Sequence, residues 1–264
     1  MKLLNCPLLL VLIPVVLFSC SKTNTDVQNS VSSASGEELS VSSLKTGLVA
    51  YYPFTGDAKD RSGNRNNGKV HKAILTTDRF GTPNSAYLFN GFSSYIRIAD
   101  DSLFDLTNNF SISTWFKMNQ YASTYNVSMI VSKVDGDIGS GGFTYGIWNP
   151  NHNNTTQIVN FQANNHFNTD TYPDTSGIVS TNQWNNFIVT YDNLNAILKY
   201  YLNGNLILSK NLQFNVLTND LDVNIGYSKS TYGTYLDYFN GSIDEVRIYN
   251  RVLSQPEVIN LYTH

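Results

Sequence analysis

Three kinds of residue in this chain could do chemistry. The first bears oxygen: Asp57, Asp60, Asn64, Asn66 and Asn67 crowd into 57–68, where Gly63 and Gly68 can curve the backbone. Calcium takes roughly six to eight oxygen ligands, backbone carbonyls included, so such a loop could hold one, although it lacks the regular spacing of an EF-hand. The second kind mixes aromatic and polar side chains. Trp148 leads into Asn149, Asn151 and His152; His166, Phe167 and Tyr172 sit among Asn and Asp; Tyr232 and Tyr235 precede Asp237. A pyranose ring stacks its apolar face on an aromatic ring, while its hydroxyls bond to Asn, Asp or His. Trp148, His152, His166, Tyr172, Tyr232 and Tyr235 are therefore the candidate carbohydrate-binding residues. The competing role for any of them is packing in a core or across strands.

The third kind is the carboxylate pair of acid–base catalysis. From residue 45 onward the only Glu are Glu245 and Glu257. Glu257 stands three residues after Ser254, the spacing of a helix capping box. Asp100, Asp101, Asp135 and Asp137 lie in Gly- or Ser-containing stretches, where Asp mostly closes turns. The four His, at 71, 152, 166 and 264, form no His-Glu-x-x-His helix, and no Gly-x-Ser-x-Gly elbow occurs. The chain thus reads as non-catalytic, with no catalytic residue assigned.

These groups need a scaffold and an address. Leu8 to Phe18 is an apolar run behind Lys2, broken only by Pro14. It is too short to span a bilayer, which takes about 20 residues, and fits the h-region of a secretion signal. The run closes on Leu17-Phe18-Ser19-Cys20, which resembles the bacterial lipobox. That resemblance implies a signal peptide over 1–19 and a diacylated Cys20, and an ordinary signal with a chance Cys is the alternative. The other cysteine, Cys6, would leave with the signal, so the mature chain would have no disulfide or thiolate site. Residues 20–44 hold the lipidated Cys and a Ser-rich stretch without aromatics, a flexible tether.

The 264 residues are 14% charged with a net charge of −3, and no Lys/Arg cluster could neutralise a row of phosphates. Nucleic acid is excluded as a partner, and attachment to a membrane would run through the lipid alone. The aromatic content of 13% excludes disorder of the whole chain.

From residue 45 the pattern is strand, turn, strand. Leu48 to Tyr52 meets Pro53, and Tyr87 to Phe89 runs into Asn90-Gly91. Phe110, Ile112 and Thr114 alternate with Ser111, Ser113 and Trp115. Further β-rich runs begin at Ser94, Met129, Phe143, Ile158, Trp184, Val223 and Ser242. Ile197 to Leu202, Asn203-Gly204 and Leu206 to Leu208 form a hairpin pattern. The capping box at Ser254 predicts a single helical turn or two at the end. The fold class is all-β, an antiparallel two-sheet sandwich.

Leu48 to Phe54 with Gly56 to Gly68, Phe110 to Phe116, Trp184 to Tyr191 leading into Tyr201 to Gly204, and Phe239 to Arg251 together resemble laminin-G-like domains of the concanavalin A-like lectin/glucanase superfamily. The resemblance covers 45–264 in order and implies a jelly roll with one concave sheet. It implies no single function, since lectins, adhesion modules and glycosidases share the fold. The Glu-x-Asp-x-(x)-Glu strand of the superfamily's glucanases has no counterpart here. Related jelly rolls hold a structural Ca²⁺ between the first loop and the last strand, which maps onto Asp60 and Asp244, with Asn64 as a further ligand. The alternative is that Asp60 closes its own turn and Asp244 bonds nearby backbone.

The expectation is a lipid-anchored, non-catalytic carbohydrate-binding module of a bacterial cell envelope, placed at the outer membrane, with a glycan or glycoprotein as partner. The alternatives are an adhesion or scaffold protein that grips a protein, and a divergent glycoside hydrolase.

Overall fold

The computed structural model describes residues 43–120, 127–135, 141–149, 157–163, 173, 177–213, 216–229 and 236–264. The strands are β1 (Leu48–Tyr52), β2 (Gly68–His71), β3 (Ile74–Thr76), β4 (Ala86–Asn90), β5 (Tyr95–Ile98), β6 (Phe110–Met118), β7 (Val127–Ser132) and β8 (Phe143–Trp148). They continue with β9 (Ile158–Ala163), β10 (Trp184–Asp192), β11 (Ile197–Leu202), β12 (Asn205–Asn211), β13 (Val223–Ile225), β14 (Tyr227–Lys229), β15 (Leu236–Tyr238) and β16 (Asn240–Tyr249). One helix, α1 (Gln255–Thr263), follows.

An eight-stranded sheet runs β12-β11-β10-β6-β16-β4-β3, with β1 also paired to β16, and a six-stranded sheet runs β2-β5-β13-β7-β8-β9. The strand pairings are antiparallel. This is the jelly-roll sandwich that the sequence pattern predicts. The sheets meet through aromatic pairs. Tyr145 of β8 stacks on Phe187 of β10 at 4.6 Å, and Phe161 of β9 packs on Phe110 of β6 at 5.0 Å. All four rings are buried, and such pairs add about 0.5–1.5 kcal/mol beyond area burial.

The alternation in β6 sorts as its sequence requires. Phe110, Ile112 and Phe116 enter the main core, while Ser111 on the other face accepts from Leu253 N and donates to the Arg251 carbonyl. That outer face is roofed by α1, whose Val258 and Leu261 pack with Ile188, Tyr201, Tyr249 and Leu253. Glu257 anchors the helix start, accepting from Ser254 N and Oγ and from both Arg251 terminal nitrogens.

Three strands exceed the sequence reading. β2 and β3 are short edge-side segments with exposed or half-buried side chains, which leave no apolar period to detect. β15 pairs with β14 because the expected run Val223–Tyr227 divides at Gly226, whose φ of +80° bends the chain out of the sheet. The helix is also longer than one or two turns, at nine residues.

Candidate functional site

The face of the six-stranded sheet turned away from the core is built from period-two positions. Residues directly opposite share a face, so the pairs Thr144↔Gln162, Gly146↔Asn160 and Trp148↔Ile158 lie opposite the face that carries Tyr145, Ile147, Val159 and Phe161 inward. Val127 and Met129 of β7 pair with Trp148 and Gly146 and join the same outer face. Thr144, Asn160 and Gln162 form a buried row of hydroxyl and amide groups, with Thr144 Oγ1 donating to Gln162 Oε1 and the Tyr200 hydroxyl donating to Asn160 Oδ1, each at 3.4 Å. Between these strands a cavity of about 10 Å³ remains, room for roughly one water.

Aromatic rings continue this face across β5 and β2. His71 stacks on Tyr95 at 4.4 Å, Tyr95 packs on Tyr227 at 5.4 Å, and Tyr227 packs on Tyr238 at 4.8 Å. The hairpin β14–β15 is held there because Ser132 Oγ donates to the Tyr227 carbonyl at 2.7 Å. Opposite Ser228 in that hairpin stands Asp237. It is 8% exposed, and burial pushes its carboxyl up to about 7. A buried carboxylate without a cation beside it is costly, and sugar hydroxyls are one class of donor that would offset the cost. His71 Nε2 is likewise buried without a partner among the described residues.

Of the residues singled out from sequence, Trp148 is placed, half-buried at the end of β8. His152, His166, Tyr172, Tyr232 and Tyr235 lie outside the described residues. The segment of His152 is flanked by β8 and β9 of the six-stranded sheet, and that of Tyr232 and Tyr235 by β14 and β15, whereas the segment of His166 and Tyr172 leads from β9 to β10 of the eight-stranded sheet. The chain between β8 and β9 starts and ends at the Trp148↔Ile158 pair. The chain after β9 returns to that place, where Ile178 bridges Ile158 and Val179 N donates to the Gln157 carbonyl at 2.7 Å. Sequence reasoning missed Thr144, Asn160, Gln162, Tyr95 and His71. The signal was partial: Thr144, Asn160 and Gln162 alternate with the apolar Phe143, Tyr145, Val159 and Phe161.

The proposed calcium ligands have separate partners. Asp60 Oδ1 accepts from Tyr51 N at 3.0 Å and Ser62 N at 2.8 Å, and Oδ2 accepts from Ser62 Oγ at 2.8 Å and Asn66 N at 3.0 Å. Four donors occupy the four lone-pair positions of that carboxylate. Asn64 turns its amide nitrogen to the Leu48 and Val49 carbonyls. Asp244 accepts from Glu245 N at 2.7 Å and lies 3.7 Å from Arg79, too long for a hydrogen bond. Burial, with the Glu245 charge beside it, pushes Asp244 up to about 8. Among the described residues no three His, Cys, Asp or Glu side chains are grouped to hold a metal. In this arrangement the loop is closed by its own hydrogen bonds, which engage Asp60 and the Asn64 amide nitrogen.

Several other carboxylates have structural partners. Glu245 accepts from the Tyr51 hydroxyl and pairs with Arg247. Asp101 accepts from Leu103 N at the head of a short 3-10 turn. Asp100 and Asp105 pair with Lys133, a fully buried lysine whose ammonium also reaches the Asn219 carbonyl. That buried lysine gave no sign in the sequence. Asp137 lies outside the described residues. No described helix is long and apolar enough to cross a membrane.

A family model described as the concanavalin A-like lectin/glucanases superfamily, of laminin-G type, matches residues 89–259. Among solved structures, domain 4 of AbnA, a GH43 extracellular arabinanase from Geobacillus stearothermophilus in complex with arabinotriose, is similar at 22% identity and a TM-score of 0.60. The match covers 82% of this chain and 98% of that domain. The botulinum neurotoxin serotype D binding domain is similar at 18% identity and a TM-score of 0.61, over 83% of this chain. The binding domain of botulinum neurotoxin DC in complex with SialylT is similar at 14% identity and a TM-score of 0.55, again over 83% of this chain. The chain spans about half of each neurotoxin domain, 52%. No curated protein matches.

Proposed function

The chain belongs to the concanavalin A-like lectin/glucanases superfamily, and on that premise we propose that it is a non-catalytic carbohydrate-binding module. The ligand would lie on the outer face of the six-stranded sheet. One observation carries this reading: one side of the six-stranded sheet joins a row of contacting rings, His71, Tyr95, Tyr227 and Tyr238, to a row of amides and hydroxyls, Thr144, Asn160 and Gln162. Rings supply stacking area and the amides fix orientation, the division of labour of small-molecule sites. Two similar domains support it, since arabinotriose and SialylT are named as bound to them. The non-catalytic part is supported by the hydrogen bonds and ion pairs that Glu245, Glu257, Asp60 and Asp100 make.

The same proposal includes a lipid on Cys20 and a flexible tether to residue 44, placing the module at the surface of a bacterial outer membrane. The sequence motif supports this part. The test is a glycan array probed with the full chain and with Asn160→Ala. A discrete set of glycans bound by the unaltered chain, and about 2–10-fold more weakly by the variant, is expected from the loss of one or two net hydrogen bonds. Binding no stronger than background across the array would overturn it.

A further inference from the structure

The opposite side of the sandwich holds a cleft that this reading does not use. It measures about 410 Å³, within the range of small-molecule sites, and is lined by Arg79, Phe80, Trp115, Trp184, Tyr262 and Thr263. Its walls come from three places: the turn after β3, the outer face of β6 and β10, and the last turn of α1. Trp115 stacks on Tyr262 at 5.7 Å with planes 13° apart, and its indole nitrogen donates to the Leu261 carbonyl at 3.3 Å. Phe80 is 68% exposed, so its ring is open to a ligand.

Cations lie close to these rings. The Arg79 guanidinium lies 4.2 Å from the centre of Phe80 and 4.6 Å from that of Trp115. The Lys117 ammonium lies 5.6 Å from the centre of Trp184, its cross-strand partner. Arg79 also donates to the His264 carbonyl, offsetting the negative end of α1. Arg79 faces Asp244 at 3.7 Å and also feels Glu245 and Asp78, so the cation left uncompensated beside the cleft is Lys117. Lys117 has no hydrogen bond or ion pair among the described residues. A positively charged ligand would be repelled, and a purely apolar one would leave Lys117 unused.

We propose that this cleft is a second binding site, for a carboxylated pyranose such as a uronate residue of a glycan, stacked on Trp184 and Phe80 with its carboxylate on Lys117. Carbohydrate is the class because aromatic faces meet a charged donor in a pocket of that size; the carboxylate follows from charge complementarity. The site does not depend on the six-stranded sheet.

The test is titration of the full chain with methyl glucuronide and with methyl glucoside, followed by tryptophan fluorescence and calorimetry. Glucuronide is expected to bind at least fivefold more tightly than glucoside, with the difference shrinking as salt rises. Lys117→Ala should bring the two sugars to equal affinity. Phe80→Ala, at a side chain too exposed to be needed for folding, should weaken both, as should Trp184→Ala. Leu194→Ala, at an 88% exposed side chain in the turn after β10, should leave glucuronide binding unchanged. The proposal is overturned if glucuronide does not bind, if glucoside binds equally well, or if Phe80→Ala is silent while Asn160→Ala abolishes binding. The last result would instead assign the acidic sugar to the six-stranded sheet.

Discussion

Two buried aspartates and one helix-capping glutamate make opposite demands on the proton. Burial holds Asp237 at about 7 and Asp244 at about 8, against an ordinary value of 3.8. The folded protein therefore keeps protons that the unfolded chain has released, and stability falls as pH rises from about 4 to 8. Glu257 runs the other way. Its burial favours the neutral form, but hydrogen bonds from Arg251 and Ser254 outweigh that and hold it at about 2. Its contribution is present above about 4.5 and is lost as pH falls toward 2. Melting temperature should thus peak in mild acid. Asp237→Asn and Asp244→Asn should each flatten the alkaline limb, and Glu257→Gln the acid limb; thermal unfolding from pH 2 to 9 checks this, and limbs unmoved by the substitutions would refute it. Calcium is a second residue-scale matter. Because four donors saturate Asp60, melting curves with millimolar calcium and with chelator should superimpose; a rise of several degrees with calcium, lost in Asp60→Ala, would restore the shared metal site. Asp60 was legible as a site of order in its loop, but not the direction of its bonds, because the same Asp-Ser-Gly-Asn spacing serves a metal or a self-closed turn. Asp237 was legible only as one polar residue in an aromatic stretch. Its isolation comes from strands far apart in sequence.

Elements were legible where period or turn chemistry is strong. Asn203-Gly204 joins β11 to β12 with φ of +50° and +77°, the left-handed pair that such a hairpin requires. The capping box starts α1 where Ser254 and Glu257 place it. β2 and β3 escaped because edge strands need not alternate. The split of β13 from β14 escaped because it turns on one glycine. At Gly226 a Cβ would lie 2.3 Å from the Phe89 ring, and φ is +80°. Gly226→Ala should cost roughly 1–3 kcal/mol by overpacking and backbone strain. Since the bend carries Tyr227, Asp237 and Tyr238 onto the outer face, glycan affinity should fall with stability. Denaturant unfolding gives the first quantity and calorimetry the second; a variant as stable as the parent would show that the bend tolerates a side chain.

At the scale of the whole molecule, the two sheets of one sandwich are finished differently: α1 roofs part of the eight-stranded sheet, and the six-stranded sheet turns rings and amides away from the core. If Cys20 carries a lipid, Cys20→Ala should move the protein from the membrane to the soluble fraction, and retention after a high-salt wash would refute the anchor. The most direct test of the central claim is amide chemical-shift mapping of the full chain with its best glycan from the array. Shifts are expected at Tyr95, Thr144, Tyr227 and Asp237 and at the side-chain amides of Asn160 and Gln162. Saturable shifts that spare all of these and fall elsewhere would contradict the assignment of the six-stranded face as the glycan site.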